Sequence, residues 1–130
     1  MSQTDTKIET VADCLQLYID GVTKGDAAKL ERAFHPDARM FGALGDQRVD
    51  VPIADMIALI VGQPADVDGT FEATVRSLEE CGDTAVAAVD EKNFWGTVSF
   101  TDYFSLARID GSWTIVNKVF AHTGGTPPGA

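Results

Sequence analysis

Asp102 is the residue in this sequence that packing alone explains least. It lies in Val98-Ser99-Phe100-Thr101-Asp102-Tyr103-Phe104-Ser105-Leu106, where every second residue from Val98 is apolar except Asp102 itself. A strand puts such alternate residues on one face. A carboxylate among Val98, Phe100, Phe104 and Leu106 is costly to bury without partners. Two readings stand. Asp102 contacts a ligand or works as an acid/base with a raised pKa, or it anchors the fold on a helix amide or on His35. His35, in Phe34-His35-Pro36-Asp37-Ala38, is either a proton-transfer group or a histidine closing a helix C-terminus. Tyr18 either offers its hydroxyl to a ligand or packs in the core with that hydroxyl satisfied. Asn117 is a polar contact in a cavity or a local partner for Asp102.

The element that must position Asp102 and Asn117 is a hairpin, Val98 to His122, turning at Asp110-Gly111. Asp-Gly between alternating strands is the strongest short hairpin signal. With those two as the loop, Ile109 pairs with Ser112. Counting back sets Leu106 opposite Ile115, Phe104 opposite Asn117 and Asp102 opposite Val119. The inner face then carries Trp113, Ile115, Asn117, Val119 and Ala121. The outer face carries Tyr103, Val116, Lys118, Phe120 and His122. A slip of one residue would exchange the two faces. A mixed polar and aromatic outer face suits a subunit interface, so Tyr103, Lys118 and Phe120 are expected to meet a second copy. Phe94 and Trp95, at the preceding connection, rim a cavity mouth or pack the loop.

Upstream, Ile8, Val11, Leu15, Tyr18, Ile19 and Val22 recur at helical spacing, which predicts a helix from Lys7 to Lys24 ending at Gly25. Asp26 caps a short second helix that ends at His35-Pro36. A short strand at Ala38 to Phe41 and a second at Gln47 to Val51 precede a third helix that begins at Pro52 and stops at Gly62. Strands follow at Thr70 to Glu80 and Thr84 to Lys92. The apolar run Ala85 to Val89 suggests cover on both faces. Helices on one face of a curved antiparallel meander make an α+β layer pair. Long strands bent around helices leave a conical cavity, a common ligand site. Tyr18, Asn117, Phe104, Met56, Phe41 and Trp95 are expected to line it.

The 130 residues are 45% apolar and 23% charged, the composition of one globular domain over 1–130 with its core at about 7–122. The polar N-terminal end is expected to fray. The Gly/Pro-rich tail, 124–130, needs a surface to pack on if ordered. A net charge of −10 disfavours nucleic acid and anionic membranes as partners. Cys14 and Cys81 form no metal-type spacing and no disulfide scaffold, which fits a reduced, cytoplasmic setting. His35 and His122 are the only histidines, and they fall on opposite faces, so no metal site is expected. No phosphate-cradling glycine loop and no nucleophile elbow occurs, and no cofactor is called for.

Several stretches carry a family likeness. Tyr18-Ile19-Asp20-Gly21 with Lys24-Gly25-Asp26, then Phe34-His35-Pro36-Asp37-Ala38, then Asp102-Tyr103, then Gly111-Ser112-Trp113-Thr114-Ile115-Val116-Asn117-Lys118-Val119-Phe120 resemble the nuclear-transport-factor-2-like (SnoaL-like) superfamily. Within it they most resemble the small bacterial family described as putative lumazine-binding. The resemblance implies a cone-shaped, cystatin-like α+β fold, a curved antiparallel sheet wrapped around three N-terminal helices. It also implies a dimer through the outer sheet face. Matching Tyr18 and Gly25-Asp26 to the superfamily's steroid isomerases makes Tyr18 their oxyanion tyrosine. It puts Gly42 where they carry a proton-abstracting Asp, so steroid isomerisation is not expected.

Three functions follow in order. The first is a binding module that holds a small, partly apolar or heterocyclic ligand between helices and sheet. The second is a cofactor-independent lyase, isomerase or cyclase with Asp102 and His35 as acid/base pair. The third is a structural dimer whose cavity is filled by its own side chains.

Overall fold

The computed structural model describes residues 6–128. Helix α1 (Val11–Lys24) starts later than its apolar spacing suggested. Thr10 is the reason: its hydroxyl accepts from the Asp13 amide at 3.0 Å. Ile8, just before, is tied instead to the far end of the chain. Its amide donates to Ser112 Oγ, and its carbonyl accepts from the Trp113 amide. Gly25, at φ 71°, closes α1 in the left-handed conformation. Asp26 caps α2 (Ala27–Ala33). Gly21 lets the two helices touch, since a Cβ there would lie 2.6 Å from Leu30.

Strand β1 (Phe34–Leu44) is much longer than expected, and with β2 (Gln47–Pro52) it forms a hairpin. Helix α3 (Ile53–Gly62) follows directly, and Pro52 is its cap rather than its first residue. Then come β3 (Glu72–Cys81), β4 (Thr84–Phe94), β5 (Val98–Ile109) and β6 (Ser112–Gly125). The sheet order is β2-β1-β6-β5-β4-β3. Every neighbouring pair is antiparallel except β1 and β6, which run parallel, so the curved sheet is mixed. The three helices fill its inner side around one apolar core. Among the described residues no helix is long and apolar enough to cross a membrane.

The β5–β6 turn is as the sequence reads: Ile109 pairs with Ser112, and Asp110 and Gly111 both take positive φ. The pairing beyond Leu106–Ile115 differs. Ser105 faces Asn117 rather than Val116, so Val116 is an extra residue, a bulge in β6. Phe104 therefore pairs with Lys118 and Asp102 with Phe120. Every β6 side chain beyond the bulge lies on the face opposite to the one expected. Two further points differ. Val86 is 54% exposed, so the apolar run in β4 is covered on one face only at that point. Gly124 and Gly125 belong to β6 and pair with Ser99 and Val98, so the start of the tail finds its surface within its own chain. Residues 1–5 and 129–130, included in the expected frayed end and tail, lie outside the described residues.

Candidate functional site

Tyr18 is the centre of a buried polar cluster. Its ring is fixed edge-on against Phe104 and Phe34, at centroid distances of 4.9 and 5.8 Å. Its hydroxyl then meets three groups from three adjacent strands. Glu91 Oε2 lies at 2.8 Å, Asp102 Oδ2 at 2.7 Å and Lys118 Nζ at 3.0 Å. Alternation supplies the first two. Ala85, Ala87, Val89 and Glu91 face inward on β4, as do Phe100, Asp102 and Phe104 on β5. Glu91 pairs with Phe100 and Asp102 with Val89, so the two carboxyls are diagonal neighbours on one face. The Val116 bulge supplies the third, turning Lys118 inward.

Proton bookkeeping constrains this cluster. Lys118 donates to the phenol oxygen. The phenol has one hydrogen and meets two carboxyl oxygens, so it donates to one of them while the other carries a proton of its own. Glu91 is the protonated partner. Burial first, and the neighbouring Asp102 charge second, push its carboxyl well above the usual range. The same two causes hold the Tyr18 phenol well above its usual pKa, so it stays neutral. Asp102 is left as the anion opposite Lys118, whose Nζ is 3.8 Å from Oδ2. The ammonium also sits over the Tyr18 ring at 5.0 Å. A side-chain hydrogen bond between Glu91 and Asp102 adds to the upward push on Glu91, and Glu91 Oε1 and Asp102 Oδ1 lie buried with no other donor among the described residues.

Glu91, Asp102 and Lys118 border a cavity of about 100 Å³. Met40 and Met56, with Phe94, Phe100 and Phe120, form its apolar wall, and the half-exposed Leu59 and Trp95 stand beside it. Trp95 is held in place by two hydrogen bonds to the loop after α3, from its indole to Gln63 O at 2.7 Å and from its amide to Ala65 O at 2.8 Å. Asn93 and Trp95 both take positive φ, which Asn tolerates and which is rare for a bulky Trp.

The chain matches, over residues 6–121, the model of the family described as putative lumazine-binding. The chain belongs to that family. It is 31% identical to an NTF2-like protein of unknown function from Methylobacillus flagellatus KT, with a TM-score of 0.78 over 87% of this chain and 89% of the other. An NTF-2 like protein of unknown function from Silicibacter pomeroyi DSS-3 is 25% identical, with a TM-score of 0.79 over 87% and 92%. Aldolase FrzH from Cladobotryum sp is 21% identical over 90% of this chain and 92% of its own length.

Within this family fold, the residues singled out from sequence divide. Asp102, Met56 and Trp95 border the cavity, and Tyr18 reaches its polar end. Phe104 faces inward but packs on Tyr18 rather than on the void. Five expectations are corrected. Asn117 lies on the outer face, beside Tyr103 and Val119, because the bulge flips it. Lys118 and Phe120, expected outside at a subunit contact, line the cavity for the same reason. Phe41 alternates outward from Met40, and its ring lies under the Arg39 guanidinium. His35 faces away from the cavity: its Nδ1 accepts from the Asp37 amide, and it borders a separate groove with Glu31 and Ile57. It is not paired with Asp102. His122, assigned with Phe120 to the outer side, shares the inward flip and packs near Phe100.

Glu91 and Met40 are the residues that sequence reasoning missed. The signal for Glu91 was present: the inward phase Ala85, Ala87, Val89 reaches it without interruption. Gly42 also has a physical account. A Cβ there would lie 2.5 Å from the Phe120 ring and 2.6 Å from the Phe120 carbonyl oxygen. The position matched to a catalytic Asp is filled by an aromatic ring from β6.

Proposed function

We propose that the chain binds a small, largely apolar molecule in this cavity, with the molecule's polar end against Glu91, Asp102 and Lys118. The observation that carries the reading is the apolar void of about 100 Å³ itself, bordered at one end by Glu91, Asp102 and Lys118. A concave, mostly apolar pocket with a few convergent polar groups is the usual form of a small-molecule site. Size limits the occupant. A dry cavity of about 150 Å³ takes one benzene. At about 100 Å³ the void takes no more than one ring, with part of it in the mouth. The two-ring lumazine of the family's description would need its second ring outside the cavity.

Methionine methyl NMR tests the reading, because Met40 and Met56 line the void. Benzene added to methyl-labelled protein should shift both resonances. No shift at saturating benzene would refute it.

A second reading is acid–base catalysis on a carbonyl compound. It is favoured by a protonated Glu91 and an anionic Asp102 at one cavity, and by the likeness to an aldolase. The pair in this reading is Glu91 and Asp102, not Asp102 and His35.

A further inference from the structure

A nucleophile lines the cavity. Lys7, Lys24, Lys29 and Lys92 are exposed on the surface, whereas Lys118 is only 5% exposed and borders the void. Apart from Glu91, Asp102 and Lys118, the residues around that void are apolar. An amine in such a place can attack a carbonyl carbon, but an ammonium cannot, because its lone pair is taken. The cluster around Tyr18 supplies a route for the proton. Lys118 Nζ lies 3.0 Å from the phenol oxygen, and that oxygen lies 2.7 Å from Asp102 Oδ2. One proton passes from Nζ to the phenol oxygen while the phenol's own proton passes to Oδ2. Amine, phenol and carboxyl are then all neutral. Two opposite charges cancel in place, and none is left alone in the interior, where an unpaired charge is costly. The relay runs along hydrogen bonds already formed, so Glu91 and Asp102 act without touching the substrate.

We propose, on the second reading above in which the cavity takes a carbonyl compound, that Lys118 condenses with a small, uncharged, apolar aldehyde or ketone to form an imine. The neutral amine adds to the carbonyl carbon, and one of its protons passes to the carbonyl oxygen, giving a carbinolamine. The proton held on Asp102 returns through Tyr18 to the new hydroxyl, the carbon–oxygen bond breaks and water leaves. The product is a protonated imine opposite the Asp102 anion, the same charge balance as the resting ion pair. Charge sets the substrate class. Once Lys118 is neutral, an anionic aldehyde would be buried with no cation to meet it.

The test uses the whole chain, limiting benzaldehyde and cyanoborohydride, which reduces an imine to a stable secondary amine that peptide mass mapping locates. Lys118 should carry most of the benzyl label, ahead of the exposed Lys7, Lys24, Lys29 and Lys92. Glyoxylate, a charged aldehyde, should label the exposed lysines and spare Lys118. Benzyl label confined to the exposed lysines would overturn the imine, and glyoxylate on Lys118 would overturn the uncharged substrate class. Benzaldehyde binding is read separately, without the reductant, from the Met40 and Met56 methyl resonances. Shifts without label on Lys118 would refute the imine and leave the carbonyl-binding reading standing, whereas no shift would refute both. Tyr18→Phe should slow labelling of Lys118 about 100-fold, the low end of what a positioned proton-transfer group supplies, while the methyl shifts with benzaldehyde persist. An unchanged labelling rate would overturn the relay. If Tyr18→Phe does not fold, the distribution of label on the unaltered protein decides.

Discussion

Replacing Glu91 by Gln should barely disturb the fold, whereas replacing Asp102 by Asn should damage it. The contrast follows from the proton count around Tyr18. A protonated Glu91 donates within the cluster, to the Asp102 carboxyl, and a Gln amide in its place donates equally well, so near the ordinary glutamate pKa Glu91→Gln should change stability by no more than about 1 kcal/mol. Asp102→Asn removes the anion and leaves the Lys118 ammonium buried without a counter-charge, a loss of about 3–5 kcal/mol. The two variants also separate with pH. Because the folded pKa of Glu91 is raised, the folded chain keeps a proton that the unfolded chain releases above the ordinary glutamate pKa. Stability tied to Glu91 is complete below that pKa and is lost as pH rises toward the folded value. The loss runs at about 1.4 kcal/mol per pH unit. Glu91→Gln lacks this loss, so its stability relative to the unaltered protein should climb with pH by that amount. Urea unfolding of the three proteins at several pH values above about 4.5 measures both effects. Equal damage from the two substitutions, or a stability gap that does not change with pH, would mean that Glu91 is ionised in the fold and that the proton count is wrong.

Two further outcomes are expected. Gly42→Ala sets a Cβ against the Phe120 ring and, at 2.6 Å, against a backbone oxygen that cannot move aside cheaply. It should lower stability by about 1–3 kcal/mol in thermal unfolding, and a neutral result would show that β1 and β6 are not in this close contact. The outer sheet face exposes Val86, Tyr103 and Val119 side by side across three strands. That apolar surface predicts a two-fold dimer through the sheets, now without Lys118 or Phe120 in the contact. A monomer by light scattering at micromolar concentration would contradict it.

How much of this was legible in the sequence depends on where the backbone signals its turns. Asp110-Gly111 announces its turn because both residues must take positive φ, which Asp tolerates and Gly prefers. Asp102 was assigned inward from alternation within β5 alone, so no error in β6 touched it. The caps Asp26 and Gly25 were visible for the same local reasons. The bulge at Val116 was not visible. Val116, Asn117, Lys118, Val119 and Phe120 contain no Gly or Pro to mark it, and Val119 and Phe120 are both apolar, so either phase gives a plausible inner face. Glu91 was passed over because a run of five small apolar residues suggested a strand covered on both sides. Following the inward phase two residues further would have set it diagonal to Asp102.

The bulge and the charge balance depend on each other. In the unbulged register Asn117 would face Tyr18, and an amide cannot supply the positive charge that a buried Asp102 needs. Adding one residue to β6 turns Lys118 inward instead, and it moves the Phe120 ring over Gly42 in the same step. The inner surface thus exchanges a neutral amide for a cation at its polar end and an open glycine position for an aromatic wall. A single irregularity in one strand determines both the electrostatics and the size of the cavity. For that reason the chemistry of this site follows from β6 after Val116 more than from any residue that alternation alone could identify.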